Sequence, residues 1–125
     1  MTHTIVRAGN ARITATPNAT MTTLASPTVN ESKTSLWIVE MQSGAAGPLH
    51  TMSSDQVWHL LTGTVSCEIA GEIITMEAGD TLRISGGVNR QFQAESDARL
   101  LVSGASDAVA STDNGATSVV PGWIS

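Results

Sequence analysis

Short apolar and alternating runs recur along this chain between turn signals. No window of about 11 to 18 residues carries the three-to-four spacing of an amphipathic helix. The pattern predicts strands near Ile5–Ala8, Arg12–Thr14, Leu36–Gln42, Gly47–Met52, Gln56–Thr62, Thr64–Ala70, Glu72–Met76, Thr81–Ile84, Arg90–Ala94 and Arg99–Ser103. Such spacing belongs to an all-β sandwich or barrel. Ala70-Gly71 joins two runs closely enough for a hairpin, and Ala78-Gly79-Asp80 and Ser85-Gly86-Gly87 are turn clusters. Pro17–Ser35 is polar and reads as a loop or weak edge. Ser103–Ser118, rich in Ser, Ala, Thr and Gly, is expected to cross the surface, and Val119–Ile124 to dock back on the barrel.

Alternation assigns faces, because successive side chains of a strand point to opposite sides. Val65, Cys67 and Ile69 are expected inward, and Thr64, Ser66 and Glu68 outward. Gln56, Trp58 and Leu60 share one side of their strand. Val57, His59 and Leu61 share the other, which is apolar as well. A strand apolar on both faces is buried on both, so a second sheet or a second subunit should cover one of them, and a homodimer is expected. In Leu36–Gln42, Trp37, Val39 and Met41 form one face and Leu36, Ile38, Glu40 and Gln42 the other. Were the second face to line a pocket, Glu40 would be its carboxylate and a candidate acid or base.

Composition and charge narrow the function classes. A chain of 125 residues fits one domain, 1–125. Its one cysteine, Cys67, excludes an internal disulfide and any multi-cysteine metal site. Six basic against eleven acidic residues give a net charge of −5, with the arginines scattered. No basic face is available to neutralise phosphates, so neither nucleic acid nor an anionic membrane surface is an expected partner. No apolar run approaches the ~18 residues of a membrane span, and the first residues carry no signal-peptide stretch. The expected setting is cytoplasmic and the expected partner a small hydrophobic organic ligand.

One stretch carries a spaced motif. Gly44 is followed by five residues and His50, then Thr51 and Met52, three residues and Gln56, six residues and Gly63. Further on, Gly79 is followed by five residues, Ser85-Gly86-Gly87, two residues, Arg90, three residues and Ala94. This framework, spanning Gly44–Ala94, resembles the two motifs of the cupin superfamily. The resemblance implies a double-stranded β-helix, or jelly-roll barrel, and single-domain cupins include isomerases, cyclases and dioxygenases. It also implies a divalent metal held inside the barrel by two histidines, a glutamate and a third histidine.

Only the first of those four positions, His50, keeps its ligand here. Met52 offers a thioether, Gln56 a neutral amide and Arg90 a fixed positive charge with no lone pair. No metal cofactor is therefore expected; were one held, His50 and Gln56 would be its ligands. The candidate catalytic residues are His50 as acid or base, Arg90 as a clamp for an oxyanion and Gln56 as an orienting amide. Each has a structural alternative: a core histidine on a backbone carbonyl, an arginine paired with Glu40 or Asp55, a buried amide bonded to Arg90 or His50. Met52, Trp58, Leu60, Cys67 and Glu40 are the candidate substrate-binding residues, with Cys67 expected buried and inert. Three functions remain open. They are a metal-independent isomerase, cyclase or eliminase on a hydrophobic substrate, a ligand-binding cupin without chemistry, and a divergent metal-dependent cupin.

Overall fold

The computed structural model describes residues 2–112 and 117–125. Twelve strands carry it: β1 (Arg12–Ala15), β2 (Thr20–Ala25), β3 (Thr34–Met41), β4 (Thr51–Met52), β5 (Gln56–Thr62), β6 (Thr64–Ile69), β7 (Glu72–Glu77), β8 (Thr81–Ile84), β9 (Arg90–Ala94), β10 (Ala98–Ala105), β11 (Ala110–Thr112) and β12 (Thr117–Val119). One helical turn, α1 (Pro27–Asn30), and a 3-10 turn at Ala8–Asn10 are the only helical elements among the described residues. No described helix is long and apolar enough to cross a membrane.

The strands form an antiparallel six-stranded sheet in the order β1-β2-β3-β10-β5-β8 and two three-stranded sheets, β7-β6-β9 and β12-β11-β4. Isolated bridges, Ala46 to Gln93 and His50 to Arg90, run the segment before β4 alongside β9 and so connect the two small sheets. The inner faces meet in one cluster. It contains Trp37, Val39 and Met41 of β3, Trp58 and Leu60 of β5, Val65 and Cys67 of β6, Phe92 of β9, and Leu100 and Val102 of β10. This is an all-β sandwich, as the spacing of strands and turns predicted, and the jelly roll that the cupin resemblance implied.

Local chemistry explains the corners. The β6–β7 hairpin turns on Ala70 and Gly71, both at positive φ (49° and 84°), the geometry of the tight turn that matches strand twist. Gly63, between β5 and β6, has φ 89°, and a Cβ there would overlap the Asp97 carbonyl oxygen and stand 2.9 Å from the Ala98 Cα. The Ser26 hydroxyl caps α1 by accepting from the Val29 amide at 3.2 Å, and Pro27 opens the helix.

Several expectations are corrected. Ile5–Ala8 forms no strand, and Ile5 is 65% exposed with nothing to pair against. Pro17–Ser35 is no loop: it contains β2, which lies between β1 and β3, as well as α1 and the start of β3. Its alternation was masked because one inward residue, Thr23, is polar; it is fully buried and donates to the Trp123 carbonyl at 2.7 Å. Within Gly47–Met52 only Thr51–Met52 is strand, Pro48 lacking the amide a ladder needs. Ser103–Ser118 contains the end of β10, all of β11 and part of β12, so it is largely paired; positions 113–116 lie outside the described residues. Among the described residues no second sheet covers the Val57, His59 and Leu61 face of β5: Val57 is 43% and Leu61 37% exposed.

Candidate functional site

A cavity of about 400 Å³ lies inside the sandwich. Its walls are mainly Met21, Trp37, Val39, Trp58, Phe92 and Trp123. Trp58 and Phe92 stack, centroids 4.1 Å apart and planes 25° from parallel, and give it one flat aromatic wall. The C-terminal segment closes one end. Ile124 is fully buried, and its carbonyl accepts from the Ser35 hydroxyl. Arg12 donates to the carbonyls of Gly122 at 3.0 Å and Ser125 at 3.2 Å.

Two lining residues, His50 and Gln56, bring hydrogen-bonding chemistry to this apolar space from the barrel interior. The His50 backbone exchanges both hydrogen bonds with Arg90, N–H to carbonyl at 3.0 and 2.9 Å. Its ring Nδ1 lies 2.9 Å from the Pro48 carbonyl. A carbonyl only accepts, so Nδ1 carries the proton and Nε2 keeps a lone pair. Burial lowers the His50 pKa below its ordinary value, the Arg90 charge adds to that, and the bond to Pro48 opposes it. The neutral imidazole is thus an acceptor and a base.

Gln56, 3% exposed, has its amide oriented by its neighbours. Oε1 accepts from the Trp58 indole Nε1–H and from Arg90 Nη1, each at 3.2 Å. Both partners can only donate, so the oxygen must face them and the amide cannot be flipped. Nε2 makes no hydrogen bond to the protein among the described residues, and Gln56 lines the cavity, so its N–H groups are available as donors there. Gly104, paired with Gln56 between β10 and β5, makes room for this side chain: a Cβ there would stand 3.2 Å from the Gln56 Cγ.

Arg90 is fully buried but does not line the cavity. Nε donates to the Val88 carbonyl at 3.1 Å, Nη2 to Val88 at 3.1 Å and Ser85 at 3.0 Å, and Nη1 to Gln56. Burial pulls its pKa down from the usual arginine value. Neither expected salt bridge forms: Asp55 pairs with Arg83 at 3.6 Å and Glu40 with Arg99 at 3.9 Å. The expectation that Arg90 clamps a ligand directly is corrected, because it lies outside the cavity lining and its hydrogen bonds go to Gln56 and two carbonyls.

The other candidates divide. Met52 and Trp58 line the cavity. Leu60 and Cys67 do not; both are buried in the core beside it. Burial pushes the Cys67 thiol up to about 11, which keeps it protonated and unreactive. Glu40 is exposed on the outer face of β3 and contributes nothing to the cavity. The opposite face of that strand, Trp37, Val39 and Met41, supplies the wall instead. Sequence reasoning also missed Met21, since β2 went unrecognised. Phe92 and Trp123 alternate or dock correctly, yet nothing in the sequence placed them around a cavity.

A family model described as "Cupin domain" matches residues 37–104, more than half of the chain. The chain belongs to the cupin family. An RmlC-like cupin from Shewanella frigidimarina NCIMB 400 superposes with a TM-score of 0.69 at 16% identity, covering 82% of this chain and 92% of that one. KdgF from Halomonas sp. does so with a TM-score of 0.68 at 17% identity, covering 80% and 90%. Salicylate 1,2-dioxygenase from Pseudoaminobacter salicylatoxidans, in its adduct with gentisate, gives 0.66 at 18%, covering 74% of this chain and 26% of the dioxygenase. This cupin thus spans about a quarter of the dioxygenase's length. At such identities the likeness is one of fold. No curated protein matches the chain.

The divalent metal implied by the cupin resemblance does not fit the side chains present. Gln56 has already committed its oxygen to two donors, which leaves N–H groups and no acceptor for a cation. Arg90 places a cation behind it, and Met52 is a soft donor suited to other metals. One imidazole nitrogen, on His50, is what remains. Among the described residues no three His, Cys, Asp or Glu side chains group together.

Proposed function

We propose that this cupin binds a small, largely apolar organic molecule inside the barrel without a metal. The supporting observation is the cavity itself. About 400 Å³ enclosed mainly by aromatic and aliphatic side chains, with a donor at Gln56, an acceptor at His50 and the polar side chains of Thr16, Asn18, Thr112 and Thr117 also in the lining, is the composition of a small-molecule site. The stacked Trp58 and Phe92 favour a ring-bearing ligand. The test is titration of chelator-treated protein with 4-nitrotoluene, followed by equilibrium dialysis and tryptophan fluorescence. Saturable binding is expected, and Val39→Phe, which adds bulk at a lining position other than His50 and Gln56, should abolish it. Binding that survives Val39→Phe unchanged would place the ligand elsewhere and sink the proposal.

A second reading, proton transfer by His50, is favoured by one observation: the bond from Nδ1 to Pro48 fixes the tautomer that leaves Nε2 as a base. In this reading Nε2 takes a proton from a carbon beside a carbonyl and returns one to the same or a neighbouring carbon, as an isomerase would. Deuterium incorporation into 2-indanone in D₂O measures that step by NMR. Exchange faster than buffer in the wild type, lost in His50→Gln, supports catalysis. Identical exchange in both proteins leaves the site as a binder.

A further inference from the structure

Among the described residues, Arg90 is a buried charge with no counter-charge. Every group it touches is neutral: the Ser85 and Val88 carbonyls and the Gln56 oxygen. The groups packed around it do not balance it. Asp55 is exposed and shared between Arg83 and the Gly86 amide. Cys67 is a neutral thiol, His50 is held neutral, and Glu68 is exposed. Hydrogen bonds satisfy the guanidinium, yet an unbalanced charge in a low-dielectric interior remains costly.

Gln56 connects this charge to the cavity. Its oxygen receives Arg90 and Trp58, which leaves Nε2, unpartnered among the described residues, as the group Gln56 offers to the cavity it lines. Donation into an amide oxygen polarises the group and strengthens its N–H as a donor, and linked hydrogen bonds reinforce one another. The arrangement therefore presents a strengthened donor backed by a full positive charge, in a cavity where, among the described residues, no lining side chain is an arginine, lysine, aspartate or glutamate.

On the ligand-binding reading above, we infer that Arg90 is the counter-charge for an oxyanion. The site takes a ring compound whose acidic oxygen, phenol or carboxylic acid, binds as the anion on Gln56 Nε2. Arg90 is a positioning residue that acts through Gln56 and does not touch the ligand. The neutral Nε2 of His50 accepts from any second hydroxyl the ring carries.

Three probes separate the possibilities: 4-nitrophenol, read by the absorbance of its anion; benzoate; and neutral 4-nitrotoluene, the latter two read by tryptophan fluorescence. The ionisation midpoint of bound 4-nitrophenol is expected about one pH unit below that of the free phenol, a tenfold preference for the anion. Gln56→Leu and Arg90→Met should each raise that midpoint above the free value, as an apolar cavity alone would. Arg90→Lys should restore the lowered midpoint in part, which a purely structural role would not do. Should Arg90→Met fail to fold, the wild-type midpoint and Gln56→Leu still decide. Tight nitrophenolate with weak benzoate supports the inference with a phenol or enol as the source of the oxyanion; tight benzoate supports it with a carboxylate. A wild-type midpoint at or above the free value, or 4-nitrotoluene binding tighter than both anions, overturns this inference and leaves the ligand-binding reading standing. No binding by any probe overturns that reading and this inference with it.

Discussion

Arg90 Nη1 donates to Gln56 Oε1 at 3.2 Å inside the barrel. That contact decides the character of the site. It orients the Gln56 amide, commits the oxygen a metal would have used, and holds a positive charge behind the cavity wall. Two motif positions that resemblance assigns to a metal therefore face each other as donor and acceptor.

Metal content is the first consequence. Protein purified without a histidine tag should carry well below one equivalent of any transition metal, and chelation should leave its melting temperature unchanged. The triple variant Met52→His, Gln56→Glu, Arg90→His replaces the amide, the thioether and the cation by imidazole and carboxylate donors, and should gain a stoichiometric divalent metal. A full equivalent in the wild type, by elemental analysis, would reverse the reading of all three residues.

His50 should leave a mark on stability against pH. Its folded pKa lies below the ordinary 6.5 because burial disfavours the charged ring. Between the folded value and 6.5 the unfolded chain binds more protons, so stability rises with pH there. The contribution is complete above 6.5 and is lost as the pH falls through 6.5 toward the folded value. Urea midpoints measured from pH 7.5 down to 5 should fall less steeply for His50→Gln than for the wild type.

Gly63 and Gly71 both have positive φ, but only one is crowded. Gly71→Ala meets no atom within 4 Å and should cost the backbone penalty alone, about 1 kcal/mol. Gly63→Ala adds an overlap with the Asp97 carbonyl that backbone cannot easily yield, so it should cost about 3 kcal/mol or more. Equal losses in urea denaturation would contradict the close approach of the β5–β6 turn to Asp97.

The C-terminal closure of the cavity hangs on hydroxyl-to-carbonyl bonds from the sheet. Thr23→Val removes the donor to Trp123, and Ser35→Ala the donor to Ile124. Each should cost about 1 kcal/mol by leaving a carbonyl without its partner. Because the two carbonyls are adjacent, the double variant should deviate from additivity and make Trp123 more accessible to acrylamide quenching. Unchanged quenching would mean that packing of Ile124 alone holds the segment.

Much of the fold was legible because turn chemistry and alternation are local. The spacing of Gly44, Gly63, Gly79 and Gly87 marks corners where positive φ suits glycine, and all four adopt it. Alternation placed Val65 and Cys67 inside, where they are, with Ile69 only half-buried, and it grouped Gln56, Trp58 and Leu60 on one side of β5 without choosing that side as the inner one. The β2 strand escaped because an inward threonine satisfied by a carbonyl 100 residues away looks, in sequence, like a polar loop.

The sequence by itself determined an all-β architecture and its main strands, since spacing carries those, and its resemblance to cupins set Met52, Gln56 and Arg90 at positions where that family holds a metal. It also named His50, Gln56, Met52 and Trp58, which do surround the cavity. Only the tertiary structure decided which face of β3 looks inward, because a period of two distinguishes faces without saying what lies opposite them. It put Glu40 outside and left Leu60 and Cys67 in the core, and it turned Arg90 away from the ligand space onto Gln56. A side chain's partner depends on what distant strands bring within 3 Å of it, and no local pattern records that.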